Sequence, residues 1–292
     1  MATTYKVELN FDKDFVENLV GELGDYNINV DITDDPEKIK IKFFNFKKRL
    51  VPPIPRQVLK SNLFNCPPEL QAGLQLVENK ITAGDNLFPN LSRQLINLDY
   101  NDSLLNDWGI YHLHLGTNIE SDGFIQRTGP VLFARFDNAN AYLINVMPHG
   151  SWTKQQMIKV IHDNWATSIE TYRLKDVIGL SHVPTDDDIK KARKFGVNTS
   201  VELEPGVVYA PIGGGYTTAK TGIDVMMTMF HYNKLIKQLE KHVKDSGEKY
   251  GQMLKDKYGY EGTQLDFKLG LQDGEYFAVE QNTRVAISLG RH

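Results

Sequence analysis

Histidine changes charge closer to neutral pH than any other side chain, so clustered histidines are the first place to look for proton transfer or metal binding. Two of the chain's eight histidines lie one residue apart in Tyr111-His112-Leu113-His114-Leu115, and a third ends a later apolar run as Pro148-His149-Gly150. Side chains alternate across a strand, so His112 and His114 share one face while Tyr111, Leu113 and Leu115 share the other. The apolar set is expected to face a core, and the histidines a cleft, a second layer or solvent. Arg127 and Arg135 precede and enter the next strand pattern, Tyr142 lies on its return, and Trp152 and Thr153 follow His149.

Two chemistries fit this set. In the first, His112, His114 and His149 exchange protons with the 2′-hydroxyl and the leaving oxygen of RNA. Arg127 and Arg135 stabilise charge on the phosphate oxygens. Tyr142, Trp152 and Thr153 contact the substrate, an aromatic ring stacking on a base, and no cofactor is required. In the second, the His-x-His pair and His149 supply three ligands to zinc in a metal-dependent hydrolase. A third expectation involves no catalysis: a binding or regulatory protein that contacts a partner protein or a second copy of itself.

The elements around these residues follow a recognisable order: a strand (YHLHLG), the stretch Arg127-Thr128-Gly129, a strand (PVLFARF), a short turn, a strand (AYLINVM), His-Gly, and a helix (TKQQMIKVI). Over residues 108–166 this order resembles the core of the RelE/HigB-type toxin ribonucleases and their wider endonuclease superfamily. The resemblance implies an RNA endonuclease of toxin or host-defence type. The chain differs from those small basic proteins in being long and slightly acidic.

The rest of the sequence has to position that core. Residues 5–11 alternate as a strand, Asp12 is placed to cap a helix ending at Gly24, and stretches 28–33 and 38–46 read as strands. The run Val51-Pro52-Pro53-Ile54-Pro55 suits a linker, since proline fits neither a helix interior nor a central strand. Residues 67–97 carry two short helical patterns broken at Gly84-Asp85. Residues 130–136 and 141–147 form a hairpin around Asp137-Asn138-Ala139-Asn140. Thr153 with Gln156, and Thr185 with Asp188, have capping-box spacing. The first helix should bury Met157, Val160, Ile161 and Trp165, and the second Ile189, Ala192 and Phe195. Leu113, Leu115, Phe133, Ile144, Met157, Ile161 and Trp165 form the expected core. Strands near 197–203 and 207–212 precede a long amphipathic helix over 223–245, with Ile223, Met227, Phe230, Leu239 and Val243 as its core stripe. A helix from Gly247 to Tyr258 and strands 263–271, 275–280 and 283–289 complete the chain.

These patterns predict an α+β protein in three parts. They are a small N-terminal α/β unit (1–50), a mixed, strand-rich central domain with helices that carries the site (56–196), and a C-terminal β–long helix–β part (197–292). Val207 to Pro211 followed by Gly213-Gly214-Gly215 and Lys220-Thr221 approaches a phosphate-binding loop, but Ala219 stands where that motif has glycine.

Composition bounds the partners. The 292 residues are 41% hydrophobic and 24% charged, with net charge −4. Broad nucleic-acid surfaces are usually basic, so any contact with RNA must be local. A single cysteine, Cys66, allows neither an internal disulfide nor a cysteine metal site. The N-terminal sequence lacks the basic start and apolar run of a signal peptide, and no stretch approaches ~18 apolar residues. The expectation is a soluble, cytoplasmic protein with no membrane association.

Overall fold

The computed structural model describes residues 4–291. Its elements in chain order are β1 (Lys6–Leu9), α1 (Phe11–Gly24), α2 (Pro36–Arg49), β2 (Gln57–Lys60), α3 (Gln71–Ala83), α4 (Ser103–Trp108), β3 (Tyr111–Leu113), β4 (Pro130–Phe136), β5 (Asn140–Pro148), α5 (Gln156–Trp165), α6 (Asp186–Phe195), β6 (Val201–Glu204), β7 (Val207–Tyr209), α7 (Ile223–Asp245), α8 (Gly247–Tyr258), β8 (Gln264–Gln272), β9 (Glu275–Glu280) and β10 (Ala286–Arg291). The protein is α+β with several sheets. No helix among the described residues is long and apolar enough to cross a membrane.

The chain forms two compact units. One joins the segment up to Phe44 to the segment from Met227 onward, and the other runs from Asn45 to Met226. The N-terminal segment is therefore not a unit by itself: β1 lies parallel to β8 at the edge of the sheet β1-β8-β9-β10. Nor does the chain divide at the prolines after Val51, which form an irregular segment inside the second unit.

Four sequence expectations are corrected. Residues 28–33 form no strand, and the 38–46 region belongs to helix α2. Its Lys-Ile-Lys-Ile-Lys run alternates like a strand. However, Pro36 opens a helix readily, Asp35 Oδ1 accepts the Glu37 amide, and Ile39, Phe43 and Phe46 fall at helical spacing and are all buried. Asn10, not Asp12, caps α1, accepting the Lys13 amide. The phase of α7 also differs from expectation. Leu239 and Val243 are buried with Val225, Met229 and Ile236, whereas Met227 and Phe230 are 62% and 56% exposed.

The second unit is built on the sheet β2-β5-β4-β3, in which β2 runs parallel to β5 and the other pairs are antiparallel. The hairpin β4–β5 forms where the sequence places it, because Asp137 Oδ1 accepts the amides of Ala139 and Asn140 and closes the turn. Both faces of this sheet are covered. Val131, Phe133 and Ile144 pack with Met157, Ile158 and Ile161 of α5, and Trp165 packs against the cluster. Leu113 and Leu115 are equally buried but lie outside that cluster. Leu113 pairs with Leu132, whereas His112 pairs with Phe133, so the two residues face opposite sides. Gly73 of α3 packs on the Leu115 carbonyl so closely that a Cβ would sit 1.7 Å from its oxygen. The expected single core is therefore split by the sheet, and the histidines share their face with the α5 core.

Two helix starts resolve differently. Thr185 and Asp188 make the full capping box of α6. Thr153 makes none: α5 begins at Gln156 after Gln155, whose amide donates to Asp186 Oδ1. In α6, Ile189 is buried but Phe195 is 71% exposed. The inward place goes to Arg193, whose Nε donates to the buried Asp107 at 2.8 Å.

The glycine loop is structural. Gly213 N–H donates to Asp107 O, Gly214 N–H to Pro211 O and Gly215 N–H to Asn106 O. The amides that a phosphate loop would turn toward its ligand are already engaged. A Cβ on Gly213 would lie 2.3 Å from the Leu105 carbonyl oxygen, so glycine here permits close packing on α4.

Candidate functional site

Three imidazoles meet at the open end of the β4–β5 hairpin. The ladder extends one step past Pro130 and Pro148 through the His149 N–H, which donates to Gly129 O at 2.9 Å. His149 thereby returns beside Arg127, whose Nη2 lies 3.4 Å from His149 Nε2. Ring centroids are 6.3 Å apart for His112 and His149, 6.1 Å for His114 and His149, and 6.4 Å for His112 and His114. Trp152 touches two of the rings, at 4.7 Å from each of His112 and His149, and rests on Phe133 at 5.4 Å. Its carbonyl accepts a hydrogen bond from Arg193, which also stacks over Trp108 at 4.1 Å.

His149 and Arg127 are exposed, while His112 and His114 are 9% and 2% exposed. His114 is held on two sides. Its N–H donates to Asn90 O, its carbonyl accepts from Asn90 Nδ2, and its Nδ1 accepts the Thr128 N–H at 3.2 Å. An imidazole accepting at Nδ1 carries its proton on Nε2 when neutral. That Nε2 is buried with no protein partner among the described residues. Burial, helped by the neighbouring histidines and Arg127, lowers the His114 pKa to about 4. Burial also lowers the pKa of His112, against a smaller upward pull from Asp102. His149 is lowered by burial and by Arg127. The cluster is thus a set of neutral imidazoles near pH 7.

A cleft of about 270 Å³ opens at this cluster, lined by His112, His149, Arg127 and Trp152 on one side and by Ser92, Tyr100 and Asp102 on the other. The second wall is irregular chain, and Asn45 and Arg49 near the end of α2 fix it. Asn45 Nδ2 donates to the carbonyls of Leu98 and Tyr100, and Arg49 Nη1 to those of Gln94 and Asn97. Asp102 caps α4, its Oδ1 accepting the amides of Leu104 and Leu105 at 3.0 Å each. Its Oδ2 lies 4.0 Å from His112 Nδ1.

Of the residues singled out in the sequence, His112, His114, His149, Arg127 and Trp152 come together. Arg135 and Tyr142 do not. They pair with each other near the turn, six to seven residues or roughly 20–23 Å along the strands from His149. Tyr142 is buried there, its hydroxyl donating to Asp137 Oδ2 at 2.6 Å. Thr153 lies next to Trp152 but does not line the cleft. Asp102, Tyr100 and Ser92 were not anticipated. Only Asp102 carried a local signal, as an acidic N-cap one residue before Ser103-Leu104-Leu105.

Among the described residues, no group of three or more histidine, cysteine, aspartate or glutamate side chains is placed to hold a metal ion. Three imidazoles on one zinc at Zn–N of ~2.0–2.1 Å need ring centroids only about 5 Å apart, closer than the 6.1–6.4 Å found here. The spacing suits separate proton-transfer and hydrogen-bonding roles better than shared coordination. Comparison with family models, with curated proteins and with solved structures returned no match.

Proposed function

We propose that this chain is a hydrolase that cleaves RNA by histidine acid–base chemistry, without a metal. The observation that carries the reading is the convergence of His112, His149 and Arg127 on one open cleft, with His114 beside them as a buried neutral donor. Arg127, exposed at the mouth, favours an anionic substrate. Two imidazoles at one site can divide the work: one in its neutral form takes a proton, and the other in its protonated form gives one. A nucleophile within the substrate spares a metal-free site from supplying one, and RNA has one in its 2′-hydroxyl. In this scheme His112 accepts the 2′-hydroxyl proton as that oxygen attacks phosphorus. His149 in its protonated form gives a proton to the departing 5′-oxygen, and Arg127 stabilises the equatorial oxygens. The products are a 2′,3′-cyclic phosphate and a free 5′-hydroxyl. The ordering of elements over residues 108–166, similar to that of toxin ribonucleases, points the same way and favours a toxin or host-defence role.

The test uses purified protein, a labelled single-stranded RNA and the DNA of the same sequence, with a chelator present. Wild type should cleave only the RNA and leave cyclic phosphate ends. His112→Gln and His149→Ala should each lower the rate by ~10²–10⁴-fold. Glutamine replaces His112 because alanine at that buried position would leave a cavity. Intact RNA under wild type, or undiminished cleavage by folded variants, would sink the reading. Activity abolished by the chelator and restored by zinc would favour the metal alternative.

A further inference from the structure

A second, smaller cavity of about 20 Å³ shares Ser92, Tyr100, Asp102 and His112 with the cleft and is closed by Arg49, Leu105 and Tyr111. About 10–15 Å³ is enough for one water, provided that two to four polar groups surround it. Three are available. Asp102 Oδ1 is occupied by the α4 cap, but Oδ2 faces His112 Nδ1 at 4.0 Å, too far for a direct hydrogen bond and suited to a bridging water. Arg49 is 95% buried, and its Nε and Nη1 are engaged by the carbonyls of Asn45, Gln94 and Asn97. Its Nη2 is buried with no protein partner among the described residues.

We propose that Asp102, Arg49 and one water held between them form a relay behind His112, which fixes the imidazole with its proton on Nδ1 and leaves Nε2 to act in the cleft. The water accepts from Arg49 Nη2 and from His112 Nδ1 and donates to Asp102 Oδ2. When His112 Nε2 takes a proton, the imidazolium is balanced by the Asp102 carboxylate. No proton passes to Asp102. The role of this relay in catalysis rests on the acid–base reading above, but the relay itself does not. The charged and titratable groups facing His112 are Asp102 from the α4 cap, Arg49 from α2, Tyr100 from the irregular wall, Tyr111 and His114 from its own strand, His149 from the end of β5 and Arg127 from the loop before β4. Asp102 is the one anion among them.

Asp102→Asn separates charge from capping, since asparagine caps a helix as well as aspartate does. The full chain, labelled with ¹⁵N in its histidines, is titrated by NMR without substrate, and RNA cleavage is followed against pH in parallel. The expected wild-type result is a neutral His112 with its proton on Nδ1. In Asp102→Asn the tautomer should mix and the His112 pKa should fall, with urea midpoints unchanged. In cleavage, kcat should fall at least ~100-fold with KM little altered, and the acid limb should move to lower pH. An unchanged tautomer and pKa for His112 in the folded variant would overturn the relay. An altered tautomer in a protein that cleaves no RNA would leave the relay standing and remove the proposed substrate.

Discussion

The two ends of the β4–β5 hairpin carry similar chemistry and treat it differently. At the turn, Tyr142, Asp137, Arg56 and Asn140 hydrogen-bond to one another or to nearby carbonyls. The Tyr142 hydroxyl meets Asp137 Oδ2, two amides meet Oδ1, and Arg56 Nη1 is bonded to the carbonyls of Pro52 and Ile54. At the open end, His114 Nε2 and Arg49 Nη2 are buried without protein partners among the described residues, and Asp102 Oδ2 stops short of His112. An unpaired buried polar group costs ~1–3 kcal/mol, so two of them close to His112, one beside the cleft and one in the small cavity behind it, are a disposition toward something that completes them. The turn end holds the hairpin together, and the open end is available for chemistry.

The largest test of that contrast is kinetic. His112→Gln at the open end should lower RNA cleavage by ~10²–10⁴-fold. Arg135→Ala at the turn end should leave the rate within about twofold, because surface substitutions away from a site rarely matter. Equal losses from both would erase the distinction between the ends. The pH profile carries a sign as well. The base must be neutral and the acid protonated, and burial lowers both His112 and His149 from the usual 6.5. The rate maximum is therefore expected on the acidic side of pH 6.5, and an optimum well above 7 would contradict the assignment of roles.

The next test concerns the floor beneath the open end. Asp107 and Arg193 are both buried, and Arg193 also holds the carbonyl of Trp152. Burial raises the Asp107 pKa, partly countered by Arg193. Removing one partner of such a pair leaves an uncompensated charge, so Asp107→Ala should cost ~3–5 kcal/mol in urea unfolding. It should also loosen Trp152, read as a change in indole fluorescence. A loss below about 1 kcal/mol would mean that water replaces the pair.

How much of this was legible beforehand depended on whether the determining contacts are local. The hairpin, α8 and the extent of α7, though not its buried face, could be read because Asp137, the helical periodicity and Gly259 act within a few residues. The cluster of His112, His114 and His149 followed from strand alternation plus the hairpin return. Helix α2 could not be read, since the strand-like alternation of Lys-Ile-Lys-Ile-Lys competes with the helical spacing of Ile39, Phe43 and Phe46, and only the burial of those three decides between them. The second wall of the cleft was equally hidden. Tyr100 and Ser92 sit on irregular chain, and that chain is held by Asn45 and Arg49, some 50 residues away.

A smaller effect follows from linkage. The folded state holds His114 neutral to about pH 4, whereas the unfolded chain takes up the proton near 6.5. The stabilisation is therefore complete above pH 6.5, is lost as pH falls from 6.5 to about 4, and levels off below that. The shift corresponds to about 3 kcal/mol, and His112 adds to it in the same direction. Urea midpoints between pH 7.5 and 4 should fall accordingly, and His114→Gln should flatten the curve. An unchanged curve in that variant would mean that the imidazole is hydrated and its burial incomplete.

The smallest expected effect belongs to the turn. Tyr142→Phe deletes a hydroxyl that donates to Asp137 Oδ2 at 2.6 Å and accepts from Asn140 Nδ2 at 3.3 Å. Burial would raise the Asp137 pKa, but the Tyr142 hydroxyl and the amides of Ala139 and Asn140 together hold it below the ordinary aspartate value. A hydrogen bond to a charged acceptor is worth ~1.5–3 kcal/mol. Two of the three donors to Asp137 named above survive the substitution and the phenyl ring still packs on Trp165, so the loss should sit near the bottom of that range. The sign with pH is opposite to that of His114 in origin but alike in direction. A carboxylate held below its unfolded pKa stabilises the fold above that pKa, and the contribution is lost as acid protonates it. Tyr142→Phe should therefore narrow the difference in stability between pH 7 and pH 3 while leaving RNA cleavage at the far end of the hairpin untouched. A fall in cleavage out of proportion to the fall in stability would show that the two ends communicate along β4 and β5, and the division between a holding end and a working end would have to be redrawn.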